Sequence, residues 1–457
     1  MSKVIPVWHA KDNMAFNTES FCPELYNAIE IDEQGDFKIC CLANSDENYG
    51  VAMTQDGVKM NIMTHSIYEA INSPTHNAHR LLLKDNIKPE RCKTCYQEEA
   101  AHRIAGGTHD STKRLVNLSR DYYVKADQAH DYTNQDGSLT NLSKIKMLSL
   151  RFGNICNFKC IMCSPKHSHL WADDHVKIYG TTKFSKGNSI YEIPLNERGK
   201  LDARSFPWWE TDQWWKKFDE VIPTLNSMYF TGGEPFLIPA MGKCLDRLIE
   251  AGVSKNITLQ YDSNMSVIND NIIEKFEKFK GITISASVDD TEERFELIRD
   301  PGKYDVVLDN IKNILSMKEK KHNININMTI TSCIGIASPY VTSRIIPLAE
   351  ELKCDTFFRY LEGPKWLSLK YMSPGSKLQM IRELSSMKNS ASKDLTKHIY
   401  QTQINFLHKF MNMHDSKIIR IFVTTMDKLD ELRNHDWKKT LPDVYELLYK
   451  YSPEAFE

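Results

Sequence analysis

Short apolar runs that alternate with helix-like segments dominate this chain between residues 147 and 360. The runs typical of strands are Met147–Phe152, Ser227–Thr231, Ile257–Tyr261, Ile282–Val288, Ile324–Thr331 and Thr356–Tyr360. Apolar residues at helical spacing lie between them, as in Asn271–Lys280 and Val306–Lys320. A repeated strand–helix–strand order implies parallel strands with right-handed crossovers. The pattern therefore predicts an α/β fold built on six parallel strands.

The segments that flank this region have different patterns. Near the N-terminus, Ile29 and Ile31 alternate with polar residues, a turn closes at Gly35, and Phe37 and Ile39 follow, which predicts a β-hairpin. From residue 366 to residue 457 the periodicity is mostly helical, with a break at Pro442. Between the first two predicted strands, Ser164–Thr224 forms an insertion far longer than an ordinary connecting loop.

Length, charge and the apolar runs of the chain argue against several classes of protein. The chain has 457 residues, enough for two or three domains. Its 58 basic and 60 acidic residues nearly balance, which argues against a nucleic-acid footprint. No run of 18 apolar residues occurs, and Met1–Ala10 lacks the apolar core of a signal peptide. We expect a cytoplasmic protein with no membrane partner.

The eleven cysteines are unevenly distributed. Two groups and three scattered residues are present: Cys22, Cys40, Cys41, Cys92 and Cys95; Cys156, Cys160 and Cys163; and Cys244, Cys333 and Cys354. In a long chain without a signal peptide, grouped cysteines indicate metal ligands or reactive thiols rather than a disulfide scaffold.

The second group has the spacing C-x3-C-x2-C and directly follows the first predicted strand. Three thiolates can hold three corners of a cubane iron–sulfur cluster and leave one iron open. The alternative is a zinc knuckle, whose cysteine pairs are normally spaced C-x2-C or C-x4-C. About 70 residues further on, Gly232-Gly233-Glu234-Pro235 ends the second strand. Paired glycines let a ligand approach the backbone, and Glu234 can accept a hydrogen bond from an ammonium group.

Together these two motifs resemble the radical S-adenosylmethionine (radical SAM) superfamily. Met162 departs from its pattern, since that position is usually aromatic. The resemblance implies that Cys156, Cys160 and Cys163 hold a 4Fe–4S cluster, and that the Gly-Gly-Glu-Pro segment binds the amino group of SAM. An electron from the cluster then cleaves SAM to a 5′-deoxyadenosyl radical, which abstracts hydrogen from a substrate. A flavodoxin- or ferredoxin-like protein would donate the electron.

The same resemblance implies further contacts to SAM at the C-terminal ends of the strands, where barrel enzymes place their catalytic groups. Ser287 and Arg299 are candidates for the SAM carboxylate, and Asn264 or Asp289 for the ribose hydroxyls. Each has an ordinary alternative: Asn264 as a turn residue, Asp289 as a helix cap and Arg299 as a member of a surface ion pair.

The N-terminal cysteines offer a second site with four thiolates. The hairpin returns Cys40 and Cys41 toward Cys22, and only one of the two neighbours can readily face a shared metal. Cys92-Lys93-Thr94-Cys95 adds a C-x2-C pair. By residue type alone the site suits zinc or a fully ligated cluster. The pattern resembles the SPASM/twitch module of radical SAM proteins, which implies an auxiliary 4Fe–4S cluster on Cys22, Cys40, Cys92 and Cys95.

The resemblance thus implies a partial (β/α)6, TIM-like radical SAM barrel in residues 141–365. An N-terminal twitch-like domain would occupy residues 1–140, and a helical extension residues 366–457. Cys333, at the end of the fifth strand, is either a buried small residue or a hydrogen-atom donor at the barrel mouth.

The function implied is a radical SAM oxidoreductase with two 4Fe–4S clusters. Its expected substrate is a peptide; the alternatives are a small sugar- or nucleotide-like molecule, or a non-catalytic iron–sulfur or zinc protein.

Overall fold

The computed structural model of the protein describes residues 19–43, 50–104, 113–140, 144–186, 189–320 and 324–457. The segment Met1–Ala10, in which the sequence predicts no signal peptide, lies outside these ranges. Among the helices of the described ranges, none combines the length and the apolar character that crossing a bilayer requires.

Six of the strands match the predicted apolar runs, two form the N-terminal hairpin, and two more lie in the insertion. The strands are β1 (Ala28–Ile31), β2 (Phe37–Lys38), β3 (Met147–Arg151), β4 (Lys183–Lys186), β5 (Ser189–Glu192), β6 (Ser227–Thr231), β7 (Thr258–Ser263), β8 (Gly281–Ser287), β9 (Ile326–Ile334) and β10 (Asp355–Tyr360). Within the described residues, eight of them form one sheet in the order β10-β9-β8-β7-β6-β3-β1-β2. Strands β3 and β6 to β10 are all parallel, so the predicted α/β fold with a mostly parallel sheet is confirmed. Closure of the sheet into a partial barrel stays a prediction.

The N-terminal hairpin is part of this sheet. Strand β1 pairs antiparallel with β2 and parallel with β3, with Ile31 opposite Leu150. The turn between β1 and β2 contains Gly35 at a φ of +84°, a left-handed conformation that glycine adopts without strain. The predicted boundary at residue 140 remains a prediction, but hydrogen bonds between β1 and β3 cross it.

The two faces of the sheet differ in polarity. In β7, β8 and β9 buried positions alternate with partly exposed ones, as the period of two along a strand requires. Ile282, Ile284 and Ala286 of β8 lie on the buried face. Thr283, Ser285 and Ser287 occupy the other face. One face of the sheet therefore packs into the core, and the other presents polar side chains.

Helices follow the strands and fill the tail. They are α1 (Glu24–Asn27), α2 (Ile67–Ile71), α3 (Pro74–Lys84), α4 (Lys93–Ile104), α5 (Lys113–Ser119), α6 (Trp171–Tyr179), α7 (Asp212–Val221), α8 (Pro239–Glu250), α9 (Asp270–Phe276), α10 (Glu292–Ile298), α11 (Tyr304–Lys320), α12 (Val341–Leu352), α13 (Pro374–Ser390), α14 (Asp394–Lys409), α15 (Ser416–Arg433), α16 (Trp437–Thr440) and α17 (Pro442–Tyr451). The helical tail and its break at Pro442 agree with the sequence pattern. The ring of Tyr360 in β10 stacks on Phe406 of α14 at 3.9 Å, which holds the tail against the sheet edge.

The long insertion is fastened by its tryptophans. Trp208, Trp209 and Trp214 are almost fully buried, and their ring centroids lie 5.5, 5.8 and 6.2 Å from that of Phe152. Burial of such large side chains is the main force that holds a long insertion against the rest of the protein. These tryptophans are therefore packing residues of the insertion.

Candidate functional site

The three cysteines of the C-x3-C-x2-C motif lie on the irregular segment that follows β3. Cys156 and Cys160 are 9% and 5% exposed, and Cys163 is half-buried. Backbone hydrogen bonds anchor the segment to the end of α10: Lys159 N donates to Asp300 O at 2.7 Å and Ile161 N to Ile298 O at 2.9 Å. We call residues 153–163 the cysteine loop.

The Gly-Gly-Glu-Pro segment after β6 packs directly on the cysteine loop. Glu234 N donates to Ile155 O at 2.9 Å. A Cβ atom on Gly233 would lie 2.0 Å from that same oxygen, and Gly232 has a φ of +129°. Only glycine at both positions permits this approach, so the two motifs form one structural unit.

Glu234 is a buried carboxylate held by three donors. Its Oε1 accepts from Phe236 N at 3.1 Å and from Ser263 Oγ at 2.9 Å, and its Oε2 accepts from Asn264 N at 2.7 Å. Burial raises the pKa of Glu234 to about 7, although the three donors oppose that shift. An ionised carboxylate has about four acceptor positions, so Oε2 retains capacity for a further donor.

Asn264 links Glu234 to the cysteine loop. Its Nδ2 donates to Asn157 Oδ1 at 3.0 Å and lies 3.9 Å from Cys156 Sγ. Its Oδ1 accepts from Ser266 N at 2.9 Å, the pattern of a turn residue. Asn264 thus closes a turn after β7 and also contacts the cysteine loop, while its backbone N–H orients Glu234.

Asp289 and Arg299 form a buried ion pair beside Cys160. Arg299 Nε and Nη2 approach Asp289 Oδ2 at 2.7 and 2.6 Å, and Arg299 Nη1 lies 3.9 Å from Cys160 Sγ. Asp289 Oδ1 also accepts from Cys333 N at 2.6 Å. The helix-cap alternative for Asp289 does not hold, because α10 begins after Thr291. Arg299 is 9% exposed, so the surface-pair alternative does not hold either.

Cys333 and Ser287 complete this side of the sheet. Cys333 of β9 lies opposite Arg359 of β10, and burial raises the pKa of the Cys333 thiol. Ser287 is the last residue of β8 and pairs in register with Thr331. Both residues lie at the C-terminal ends of parallel strands, on the same sheet edge as the cysteine loop.

The surroundings of these three cysteines suit residues that bind an iron–sulfur cluster. Burial and the neighbouring Cys160 raise the pKa of Cys156 to about 12. The contact with Cys163 and then the charge of Arg299 lower the pKa of Cys160. A buried guanidinium beside the sulfurs offsets the negative charge that a thiolate cluster carries. In the described ranges no three His, Cys, Asp or Glu side chains converge on a point that would suit a single metal ion.

Some of the N-terminal cysteines influence one another electrostatically. Burial raises the pKa of the Cys22 thiol, and Glu24, Cys92 and Cys95 add to the rise in that order. Burial likewise raises the pKa of Cys40, and Cys92 is among the nearby groups that add to it. A site shared by all four sulfurs stays a prediction.

Cys40 and Cys41 have different surroundings. Cys40, like Cys22 and Cys92, packs against the hydrophobic core, whereas Cys41 accepts from Lys113 Nζ at 3.0 Å and borders a polar cavity. The two neighbours thus have different surroundings, and which of them is the metal ligand stays a prediction.

A charged network from the C-terminal tail braces the cysteine loop. Arg433 of α15 donates through Nε to Asp174 Oδ2 at 2.9 Å, and Lys159 Nζ lies 3.0 Å from the same oxygen. Asp300 accepts from His435 Nε2 at 2.9 Å. Arg433 also lies over the Trp171 ring, 4.8 Å from its centroid. Trp171 Nε1 in turn donates to Cys160 O at 2.6 Å, so the tail supports the loop from outside.

Replacing Arg433 with methionine is expected to destabilise the protein by about 1.5–3 kcal/mol, because Asp174 loses one charged hydrogen bond in a buried site and keeps only Lys159 as a partner. The free energy of unfolding in urea measures the change. Arg247→Met is the matched control: its pair with Asp219 is exposed, at 37% and 50%, and should be worth about 0–1 kcal/mol. Equal losses in the two variants would contradict a bracing role for Arg433.

Sequence reasoning missed the bracing network. Arg433 and Asp174 are 259 positions apart, and neither belongs to a motif.

Comparison with known proteins gives the following likenesses. Residues 150–330 match the family described as the Radical SAM superfamily. A search among curated proteins found no match. Among solved structures, SuiB of Streptococcus suis bound to S-adenosylmethionine is 12% identical, with 79% of this chain and 67% of that chain covered and a TM-score of 0.31. SuiB bound to the precursor peptide SuiA is 11% identical, with 72% and 66% covered and a TM-score of 0.34.

TsrM of Kitasatospora setae, a radical SAM methyltransferase with cobalamin and a 4Fe–4S cluster bound, is 11% identical, with a TM-score of 0.30. The likeness covers 52% of this chain and 36% of TsrM, so the chain spans about a third of the length of TsrM. Proteins of the matched superfamily are enzymes that use a 4Fe–4S cluster and S-adenosylmethionine. Residues 150–330 of this chain are therefore similar to the radical SAM superfamily domain.

Proposed function

We propose that this protein is a radical SAM oxidoreductase whose catalytic cluster is held by Cys156, Cys160 and Cys163. The observation that carries the proposal is the direct packing of the two motifs, in which Glu234 N donates to Ile155 O inside the cysteine loop. A carboxylate for the SAM ammonium and three thiols for the cluster then lie side by side. A zinc knuckle would require neither Glu234 nor the close approach at Gly233.

The residues around the cysteine loop have separate roles in this proposal. Gly232, Gly233 and Pro235 shape the backbone on which methionine lies, and Glu234 Oε2 accepts from its ammonium group. Asn264 and Ser287 border the same sheet edge and supply polar contacts to the ribose and the carboxylate. Arg299 orients toward the carboxylate and Cys160, and Asp289 holds the guanidinium in place through two short contacts.

When bound, the cluster supplies the electron that cleaves SAM to the 5′-deoxyadenosyl radical, which abstracts hydrogen from the substrate. The chain binds SAM, orients it and keeps water away. Burial of Cys156, Cys160 and Glu234 is consistent with that last task. A flavodoxin- or ferredoxin-like protein is the proposed electron donor.

We assign a second, auxiliary 4Fe–4S cluster to Cys22, Cys40, Cys92 and Cys95. The electrostatic effect of Cys92 on both Cys22 and Cys40, and of Cys95 on Cys22, supports the assignment. The choice of Cys40 over Cys41 rests on the packing of Cys40 against the hydrophobic core, whereas Cys41 accepts from Lys113 and borders the polar cavity. Four thiolates close a cluster, so its role would be to accept an electron after hydrogen abstraction, which gives net oxidation. Structural zinc is the alternative.

We place a peptide first among the substrate classes. This chain resembles radical SAM proteins with an auxiliary-cluster module, and proteins of that kind modify peptides. A small polar molecule is the second candidate. The observation that favours it is a cavity of about 340 Å³ lined by charged side chains at the N-terminal hairpin.

The test of the proposed function is the release of 5′-deoxyadenosine. We expect the anaerobically reconstituted protein to form it when it is incubated with SAM and a strong reductant, as liquid chromatography with mass spectrometry would detect. Omission of the reductant is the control. If a cluster is present by absorption spectroscopy and no 5′-deoxyadenosine forms, the catalytic proposal is wrong, and a non-catalytic iron–sulfur protein is the better assignment.

A further inference from the structure

A polar cavity of about 340 Å³ lies between the N-terminal hairpin, the end of β3 and the insertion. Glu30 of β1, Lys38 of β2 and Arg151 of β3 contribute from the sheet. Glu33, from the turn of the hairpin, and Lys166 and Tyr191, from the insertion, line the other side. Most small-molecule cavities are lined mainly by apolar side chains with a few polar groups. A lining this rich in charge instead predicts a ligand that carries charges of its own.

Several charged groups around the cavity form ion pairs with one another. Arg151 Nε and Lys38 Nζ lie 3.1 and 3.7 Å from Glu30 Oε1, and Lys166 Nζ lies 3.0 Å from Glu33 Oε1. The lining thus contains both carboxylates and basic groups, so it offers partners to an ammonium group and to an anionic group of a ligand.

Glu30 has an acceptor that the protein leaves unused. The side chain is 1% exposed, and its Oε2 has no hydrogen-bond partner among the described residues. Burial would raise the pKa of Glu30, but Lys38, Arg151 and Lys113 hold it below the ordinary value, so the group is ionised. A buried carboxylate oxygen without a donor is costly, and a charged donor would relieve that cost most effectively.

Arg151 provides the complementary donors. Within the described residues Arg151 donates to Glu30 through Nε only, so the two outer nitrogens of the guanidinium keep donor capacity. A guanidinium offers paired N–H groups that match the geometry of a carboxylate. An unused carboxylate oxygen and an unused pair of guanidinium nitrogens thus belong to two side chains that contact each other at one cavity.

We propose that this cavity binds the zwitterionic group of an amino acid, with its ammonium on Glu30 Oε2 and its carboxylate on the outer nitrogens of Arg151. The volume of about 340 Å³ is at the small end of ligand pockets, which fits a ligand as small as an amino acid. Arg151 ends β3, two residues before the cysteine loop, so the ligand would lie at the edge of the radical SAM domain. The inference names a ligand class for the cavity that favours the second substrate candidate, but it concerns binding and not turnover, so its test is separate from that of the proposed function.

The test is equilibrium dialysis of the full-length, cluster-reconstituted protein against an equimolar mixture of the twenty common L-amino acids. Saturating SAM occupies the proposed SAM site throughout, and mass spectrometry quantifies each amino acid on both sides of the membrane. We expect one amino acid, or a few of similar size, to be enriched on the protein side. Glu30→Gln and Arg151→Gln should each reduce the enrichment at least about tenfold, as loss of a charge-assisted hydrogen bond predicts.

Two comparisons keep the test decisive if a buried variant fails to fold. Glu210→Gln, at an exposed position, is the matched control and should bind like the wild type. For the wild type itself, the N-acetyl derivative and the decarboxylated amine of the enriched amino acid each lack one charge and should bind at least about tenfold more weakly. Absence of any enrichment, or equal binding of the N-acetyl derivative, would overturn the proposal. Release of 5′-deoxyadenosine from the same preparation without amino acids reports separately on the proposed function.

Discussion

Replacing Cys156, Cys160 and Cys163 together with alanine is expected to abolish the release of 5′-deoxyadenosine and to remove about half of the bound iron. The physical reason is that thiolates are the protein's ligands for a cubane cluster, and the loss of three leaves none. The wild type should hold about eight iron atoms per chain and the variant about four, if the auxiliary site carries a cluster. Metal analysis and chromatography of the reaction mixture measure the two effects.

Cys354→Ala is the matched control for this triple variant, since it removes a half-buried thiol that lies between α12 and β10. It should keep both the iron content and the activity. Two results would count against the assignments. Zinc without iron in the triple variant would show that the N-terminal cysteines hold zinc. Release of 5′-deoxyadenosine by the triple variant would show that these cysteines do not hold the catalytic cluster.

Glu234→Gln is expected to weaken SAM binding by about tenfold to a hundredfold. A hydrogen bond to a charged group contributes about 1.5–3 kcal/mol, and the amide replaces the carboxylate without changing its size. Titration of the reconstituted protein with SAM in a calorimeter measures the dissociation constant. The glutamine side chain has one oxygen where the carboxylate has two, so it cannot accept from all three donors, Ser263 Oγ, Phe236 N and Asn264 N, as Glu234 does. Some destabilisation of the loop is therefore also expected.

The same titration at several pH values distinguishes the effect of the Glu234 charge on SAM affinity from the effect of the shape of its side chain. The pKa of Glu234 is raised to about 7 by burial, so the fraction ionised increases as the pH rises through that value. SAM affinity of the wild type should therefore increase from pH 6 to pH 7.5. Above about pH 8 the ammonium group of an amino acid loses its proton, and the gain should reverse.

The glutamine variant should show no rise over pH 6 to 7.5, because its side chain does not titrate. A control with the same change in charge at an exposed site, Glu250→Gln, should keep the wild-type profile. A parallel rise in wild type and Glu234→Gln would contradict the proposal that this carboxylate accepts from the SAM ammonium.

The strands of the sheet were predictable because their signal is local. Each of the six parallel strands begins and ends within three residues of its predicted bounds, since apolar residues that enter the core must recur along the strand itself. The hairpin at Gly35 and the helical tail followed from the same kind of pattern. The two motifs were recognisable for a similar reason, because their spacing is contained in a few consecutive residues.

Contacts between distant segments were not predictable. The ion pair of Arg151 with Glu30 joins residues 121 positions apart, and no pattern near either residue marks it. The bracing of the cysteine loop by Arg433 and the unused oxygen of Glu30 likewise appear only when the chain is folded. A single sequence contains no signal for such pairs, since an arginine on a helix is most often a solvated surface residue.

The sequence by itself determined the type of chemistry and the elements that carry it, because ligand spacing and hydrophobic periodicity are properties of neighbouring residues. Only the tertiary structure decided which candidates meet. It paired Asp289 with Arg299 instead of leaving either as a cap or a surface group, separated Cys40 from Cys41, and brought Gly233 against Ile155. Those outcomes depend on the register of parallel strands and on the packing of loops against them, which distant parts of the chain set together.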